Sequence, residues 1–197
     1  ADGATGADGA TGADGATGIA GAGAIIPYAS GIPIALDTVL GGLLNTSGLI
    51  GFGNSVDGIT LSGGNIDLSG GGGLLNFAFS VPRPGTLTSI SAYFTTTAGL
   101  VLIDSTIEIT AQLFESTTPN NLFTPIPGAL VTLSPSLTGT VNIGDISSGT
   151  VDGLSIPVNV PPVVGTRYLL VFSVEVTAGL DIAATIAGYA SAGISIA

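Results

Sequence analysis

The chain has 197 residues, of which 45% are hydrophobic and only 8% are charged. With 13 acidic residues against two basic ones the formal net charge is −11, so no cluster of Lys and Arg exists to bind nucleic acid or an anionic membrane surface. Histidine and cysteine are absent, which excludes a Ser-His-Asp triad, a zinc site built from Cys and His, and a disulfide framework.

Residues 1–21 carry a glycine at every third position, and the period breaks at residues 22–24, where Gly23 comes one place early. A strict Gly-X-Y period is the signature of a collagen triple helix, because only glycine fits at the axis on which three chains wind. The segment therefore predicts a homotrimer, with residues 1–24 as the end of a longer collagen-like stalk whose N-terminal part is missing. A flexible linker is the alternative, but it would carry serine and no fixed period. The glycines in register are Gly3, Gly6, Gly9, Gly12, Gly15, Gly18 and Gly21.

The Y positions of this tract alternate between threonine and aspartate. The tract has no proline to pre-set an extended backbone, so on its own it is expected to be weakly stable. It also has no basic residue to pair with the aspartates, which leaves threonine as the stabilising residue or the sugar acceptor. The candidate glycosylation sites are Thr5, Thr11 and Thr17.

Residues 25–197 are predicted to form one all-β domain. Apolar and polar residues alternate in short runs, and no stretch has the 3.6-residue period of a helix. The pattern favours an antiparallel jelly-roll sandwich as a compact head on a trimeric stalk. The predicted strands are 25–30, 32–40, 49–53, 56–68, 75–81 in a hairpin with 87–96, 106–114, 130–133, 137–143, 154–160, 168–176 and 183–196. Loops are expected at 45–48, 70–73, 118–128 and 144–153.

The C-terminal segment repeats a tripeptide that also occurs at the start of the head. Tyr28-Ala29-Ser30 recurs as Tyr189-Ala190-Ser191, which predicts that the first and last strands lie side by side; coincidence in an alanine-rich chain is the alternative. Residues 178–197 are long and apolar enough to consider as a membrane span. Asp181 and three glycines lower that hydrophobicity, so a buried final strand is the better interpretation.

Calcium is the one cofactor kept as a hypothesis, because carboxylates flank two predicted loops. Asp145 and Asp152 are the candidate ligands, with Asp57 and Asp67 as a second pair. No EF-hand spacing is present, and solvated loop aspartates are the favoured alternative. No metal or other cofactor is therefore predicted.

Arg83 and Arg167 are the only basic residues. Each stands next to a predicted strand, and a guanidinium there is expected to pair bidentately with a carboxylate. Capture of an acidic ligand is the alternative. The candidate partners, across a sheet or across a subunit boundary, are Glu108, Glu115 and Glu175.

Five short sequence motifs of the head occur, in a fixed order, after the stalk tract Gly3-Ala4-Thr5-Gly6-Ala7-Asp8. They are Pro27–Gly31, Leu75–Arg83, Phe123–Gly128, Gly165–Arg167 and Gly188–Gly193. Together they resemble the C-terminal head of the BclA/BclB-like exosporium glycoproteins of spore-forming bacteria. The resemblance implies a trimeric head similar to the tumour necrosis factor and complement C1q jelly roll, placed on the bacterial spore surface and without catalytic residues. Many relatives have proline at X, which this stalk lacks.

The function that follows is structural: a spore-surface filament protein whose trimeric head nucleates and caps a collagen-like stalk, with adhesion as a consequence. Other spore-surface proteins are the expected partners, through the missing N-terminal region. The alternative is a C1q-like or lectin-like module that binds a host or surface ligand. An enzyme is not expected, because only scattered carboxylates remain for catalysis, and neither nucleic acid nor a membrane is an expected partner.

Overall fold

A computed structural model of the chain describes residues 3–4, 23–40, 45–70, 77–118, 120–158 and 165–197. No helix in these ranges is long and apolar enough to span a membrane. The strands are β1 (Ala24–Ala29), β2 (Ile34–Thr38), β3 (Thr46–Ile50), β4 (Ser55–Thr60), β5 (Ile66–Asp67), β6 (Phe79–Ser80), β7 (Gly85–Thr96), β8 (Leu100–Ser116), β9 (Leu122–Thr132), β10 (Leu137–Val141), β11 (Ile146–Val158), β12 (Arg167–Gly179) and β13 (Ala184–Ile196).

The strands form two antiparallel sheets that pack face to face. Sheet A has the order β1-β13-β7-β11, with β2 paired to β13 beyond β1. Sheet B has the order β4-β3-β12-β8-β9-β5, with β10 also on β8 and β6 also on β12. Apart from the consecutive pairs β3–β4 and β8–β9, neighbouring strands are not consecutive in sequence, because the chain crosses repeatedly from one sheet to the other. The predicted all-β class and jelly-roll sandwich are confirmed.

The main core lies between the two sheets. In β8 the residues Ile107, Ile109 and Leu113 are at most 1% exposed, while Glu108 and Gln112 between them are half-buried, as the alternation predicts. A second, smaller core lies on the outer side of sheet B under the β4–β5 hairpin. Its buried members are Leu49, Ile59, Ile66, Leu68, Phe77, Phe114, Phe123, Leu169 and Val171.

The first and last strands lie side by side, as the repeated tripeptide predicts. β1 is antiparallel to β13, with Ala29 opposite Ser191. The Ser30 amide donates to the Ala190 carbonyl over 2.9 Å, and the Ala190 amide donates to Ser30 Oγ over 3.2 Å. The C-terminal segment is therefore a sheet strand.

Three predicted loops contain strand residues instead. Residues 118–128 include the start of β9 in spite of Pro125 and Pro127. Beyond Phe123, β9 pairs with β8 alone, and an edge strand tolerates proline because one row of its amides needs no partner. Residues 144–153 include the start of β11, and residues 45–48 include the start of β3.

The predicted hairpin of residues 75–81 with 87–96 is wrong. Residues 75 and 76 lie outside the described ranges, and only Phe79–Ser80 form a strand, which pairs with β12 in sheet B. The following strand, β7, pairs with β13 and β11 in sheet A. Pro82 and Pro84 therefore lie in a link that crosses from sheet B to sheet A. The strands on its two sides do not pair with each other, so the link need not form a hairpin turn.

The two ends of the sandwich differ in what they carry. The base is the end where the chain enters β1 at Ala24, opposite Ile196, and includes the link 81–84 and the connection 117–121. The apex is the opposite end, with the turns at 97–99, 142–145 and 180–183. Of residues 1–24 the structure describes Gly3, Ala4, Gly23 and Ala24. The other stalk glycines, Gly6, Gly9, Gly12, Gly15, Gly18 and Gly21, and the threonines Thr5, Thr11 and Thr17 lie outside the described residues.

Candidate oligomer interface

The outer face of sheet A carries few charges; in the described part of the chain they are Asp152 of β11 and Asp37 of β2, which accepts a hydrogen bond from Thr185 Oγ1 of β13. Alternate residues of its four long strands point into the core, and the residues between them form what we call the Ser/Tyr face. Its members are Ile25, Pro27 and Ala29 of β1, Tyr189, Ser191, Gly193 and Ser195 of β13, Ser89, Ser91, Tyr93 and Thr95 of β7, and Ile146, Ser148, Thr150 and Asp152 of β11. Asp152, at one margin, is the single charged residue among them.

Two tyrosines stand near the middle of this face. Tyr93 lies opposite Ser191 and Tyr189 lies opposite Thr95, so the two rings are diagonal neighbours on adjacent strands. Tyr93 is 40% exposed and Tyr189 is 49% exposed. A tyrosine ring provides a large apolar contact with a polar tip, which is why the residue is enriched at protein interfaces.

An exposed aromatic ring adjoins the Ser/Tyr face along β1. Phe52 is 55% exposed and stacks on Tyr28 with ring centroids 5.3 Å apart. The backbone holds it there, since the Gly53 amide donates to the Ala29 carbonyl over 2.9 Å. A hollow of about 240 Å³ is lined by Pro27, Tyr28, Ala29, Phe52 and Gly53. We call this the Phe52 edge; it shares Pro27 and Ala29 with the Ser/Tyr face.

Two tyrosines behind this edge are buried. Tyr28 is 2% exposed and Tyr168 is fully buried, and within the described part of the chain neither hydroxyl has a hydrogen-bond partner. Burial raises the pKa of Tyr28, and burial together with the nearby Glu115 carboxylate raises the pKa of Tyr168 to about 12. Burial also raises the pKa of Glu115. Both tyrosines are neutral near pH 7, and their environment is that of packing residues.

Both arginines lie at the base, but Arg167 does not have the contacts expected of it. Its guanidinium donates to Asn121 Oδ1 over 3.2 Å, to Ser116 Oγ and to the Asn120 carbonyl, and it lies 5.1 Å from the centre of the Phe123 ring. Within the described residues no carboxylate is paired with it, so it fastens the 117–121 connection instead. The predicted pair with a carboxylate across the sheet is therefore not formed, because the guanidinium is directed at oxygens of Ser116, Asn120 and Asn121 at the end of β8 and in the β8–β9 connection; a pair across a subunit boundary stays a prediction. Arg83 is exposed in the link 81–84.

The candidate calcium ligands are not brought together. Asp145 precedes β11 and Asp152 lies within it, and seven residues of extended strand separate them by about 20 Å. The Asp145 carboxylate instead accepts a hydrogen bond from the Asn142 amide over 2.8 Å. In the second pair, Asp57 accepts from the Ala35 amide over 2.7 Å, while Ser69 donates to Asp67 and lowers its pKa. The described ranges hold no group of three or more acidic residues placed to bind a metal.

Comparison with known proteins gives one informative relative. The chain is 35% identical over 179 residues to Collagen-like protein 1 of Acanthamoeba polyphaga mimivirus, a match that covers 87% of this chain and 18% of the relative. No family model matches the chain, and no solved structure matches it. Because the match covers 87% of the chain, it extends through most of residues 25–197 and is not confined to the glycine repeat. The chain is thus related in sequence to a collagen-like protein and spans less than a fifth of that relative's length.

Proposed function

We propose that this chain is the head and the adjoining stalk end of a collagen-like structural protein, in which three heads assemble through the Ser/Tyr face and the Phe52 edge. The observation that carries the proposal is a broad sheet face with two tyrosines and a single charge in a chain that begins with a Gly-X-Y tract. The similarity to a mimivirus collagen-like protein supports the collagen-associated role.

The arrangement of the two surfaces suits a closed ring. A cyclic trimer uses a heterologous contact, in which one patch of each subunit meets a different patch of the next. The Ser/Tyr face is broad and shallow, whereas the Phe52 edge projects an aromatic ring beside it. An edge packed onto a neighbour's face would cover both surfaces in all three copies.

The same arrangement aligns the stalk. β1 is an outer strand of sheet A, and the chain enters it at Ala24, directly after the Gly-X-Y tract. Heads joined through this sheet bring three stalk ends close to one axis. Chain alignment then becomes an intramolecular event with a high effective concentration, which favours a triple helix that nucleates poorly.

The place of the protein follows from the resemblance to exosporium glycoproteins. We propose the outer layer of a bacterial spore, with stalk threonines Thr5, Thr11 and Thr17 as sugar acceptors and other spore-surface proteins as partners of the stalk's far end. The proposal assigns no catalysis and no cofactor to the chain. Intact mass of protein from its native source, compared with the sequence mass, tests the glycosylation.

A binding module is the second candidate function, and the Phe52 edge favours it. The exposed Phe52 ring can stack against a sugar or an apolar ligand that occupies the apolar hollow beside it. The two functions differ in one expectation, because assembly would cover Phe52 while an adhesin would leave it open. Screening of the intact chain on a glycan array, with Phe52→Ala as the comparison, tests the second.

The assembly is tested by the molar mass of the intact chain in solution. We expect three copies by sedimentation velocity or light scattering. Replacing both Tyr93 and Tyr189 by lysine should produce single copies, because each interface would have to desolvate unpaired ammonium groups. Leu130→Lys is the matched control, since Leu130 is 40% exposed on the outer side of sheet B, and it should remain a trimer.

Single or paired copies of the unaltered chain would overturn the proposal. So would a Tyr93→Lys/Tyr189→Lys chain that keeps its circular dichroism spectrum and still sediments as three copies, because the contact would then lie elsewhere.

A further inference from the structure

The start of β8 exposes two residues that its own pattern would bury. From Ser105 to Leu113 the odd-numbered residues of β8 face the core. Continued towards the apex, the same alternation would bury Val101 and Ile103. They are instead 65% and 70% exposed, and Leu102 between them is buried.

A β-bulge at Asp104 causes this reversal. Leu102 pairs with Gly139 of β10 and Thr106 with Thr138, so the residues between them, including Asp104, have no partner on β10. Asp104 has a φ of 50°, the left-handed region that residues other than glycine rarely adopt. The extra residues change the side on which each neighbour points.

The neighbouring strand is fitted to this bulge. The Leu180 amide donates to the Asp104 carbonyl over 2.8 Å. Gly179 has a φ of 85°, and a Cβ there would lie 1.8 Å from the Asp104 oxygen, so only glycine is accommodated. Ser105 Oγ lies 3.1 Å from the Ile103 carbonyl and 2.7 Å from the Leu180 carbonyl, which holds the two segments together.

The result is an apolar patch at the apex with acidic neighbours. We call Val101, Ile103 and Leu180 the apical patch; Leu180 is 59% exposed. Asp104 and Asp181 are exposed beside it. The two basic residues of the chain, Arg83 and Arg167, both lie at the base, the opposite end of the sandwich.

We propose that the apical patch is a docking surface for a partner protein that presents aliphatic side chains flanked by Lys or Arg. Charge complementarity selects this occupant, since basic groups would pair with Asp104 and Asp181 while aliphatic groups cover the patch. A second copy of the patch would bring carboxylates against carboxylates, and an anionic lipid surface would be repelled. The left-handed backbone at Asp104 belongs to the bulge that exposes Val101 and Ile103, and strained backbone is often found at binding sites.

The patch remains accessible in the proposed trimer. β8 belongs to sheet B, and the Ser/Tyr face is the outer side of sheet A, on the other side of the sandwich. Three copies of the patch per head would act together on a repetitive partner, so a weak single contact gains from multivalency.

The test uses three short fluorescein-labelled peptides and the intact chain. One peptide alternates Leu with Lys, a second replaces Leu by Ser, and a third replaces Lys by Glu; binding is followed by fluorescence anisotropy. We expect only the Leu-Lys peptide to bind. The double variant Ile103→Ser/Leu180→Ser should weaken that binding by at least about tenfold, because it removes most of the apolar contact.

Two further variants separate the apolar and the charged contributions. Leu130→Ser makes the same change on another part of sheet B and should bind as the unaltered chain does. Asp104→Asn keeps a residue that tolerates left-handed backbone, so the patch persists, and binding should fall several-fold at low salt with a smaller difference at high salt.

Four results would overturn the inference. The first is equal binding of the Ser-Lys and Leu-Lys peptides, and the second is no effect of Ile103→Ser/Leu180→Ser. The third is association of the unaltered heads beyond the trimer that this double variant abolishes, which would make a second copy the occupant. The fourth is binding to phosphatidylcholine vesicles without binding to the Leu-Lys peptide.

Discussion

The Tyr168 hydroxyl is a polar group buried in the core without a hydrogen bond in the described part of the chain, and so is that of Tyr28. The Tyr168 ring is well placed, with an edge contact to Phe79 at 5.9 Å between centroids. The ring therefore stabilises the fold, while the hydroxyl destabilises it because it loses its hydrogen bonds to water and gains none in the core. A buried hydroxyl without a partner costs about 1–3 kcal/mol.

Tyr168→Phe should accordingly raise the free energy of unfolding, by about 1 kcal/mol, since it keeps the ring and removes the unpaired group. Urea denaturation followed by circular dichroism, at one fixed protein concentration because assembly contributes to stability, measures the effect. Tyr28→Phe should act in the same direction. A lower stability of Tyr168→Phe would mean that its hydroxyl has a partner, and the description of this part of the core would be wrong.

Individual strands differ in how well their sequence predicts them. β7, β13 and the Ile107–Leu113 part of β8 alternate between apolar and polar residues and were predicted from that alternation. β12, in contrast, was predicted from its long run of β-branched and aromatic residues, of which residues 168–172 are all buried. The end of β9 was predicted as a strand at 130–133, but its first part was taken for a loop because proline normally argues against a strand, and only a place at a sheet edge permits it. The reversal at Asp104 was missed because a bulge depends on β10 and β12, which are remote in sequence.

The candidate interface could be predicted from the sequence only in part, because alternation along a strand is local while the order of strands in a sheet is not. Alternation places Ser91, Tyr93 and Tyr189 on one side of their strands. That these sides merge into one uncharged face depends on sheet order, with β13 between β1 and β7. Only the repeated Tyr-Ala-Ser tripeptide gave a hint of that order, and it concerned one strand pair.

Sheet A also depends on close approach at Gly188 in β13. A Cβ on this residue would lie 2.4 Å from the Thr95 carbonyl oxygen and 2.4 Å from Phe94 Cε1. Gly188→Ala should therefore lower the free energy of unfolding by about 2 kcal/mol through displacement of β7. The melting temperature from thermal unfolding measures the effect, with Gly70→Ala as the control, since nothing lies within 4 Å of the carbon added there. Equal melting temperatures would show that β7 shifts without cost.

For the whole molecule, the proposed assembly would give a chain with only 8% charged residues a way to cover uncharged surface. Burial of the Ser/Tyr face and the Phe52 edge would remove from water a broad surface that has a single charged side chain and several exposed apolar rings. The acidic residues that remain outside would keep the assembly soluble through its net charge.

Removal of residues 1–24 separates the contributions of head and stalk. If the head assembles through sheet A, the shortened chain should still have the molar mass of three copies by light scattering, because every contact residue is retained. The intact chain with Tyr93→Lys and Tyr189→Lys is the converse comparison, because it keeps residues 1–24 and alters the Ser/Tyr face, and it should run as single copies. A shortened chain that runs as a monomer would mean that the stalk holds the chains together and that the head does not nucleate it.

The antiparallel pairing of β1 with β13 has a practical consequence for engineering. Because Ala24 lies opposite Ile196, a reporter or antigen fused after Ala197 would emerge next to the start of β1 and, in the proposed trimer, would crowd the axis on which the three stalks meet. A guest meant for display at the far tip would be better inserted into the β7–β8 turn at 97–99, where it would point away from the rod.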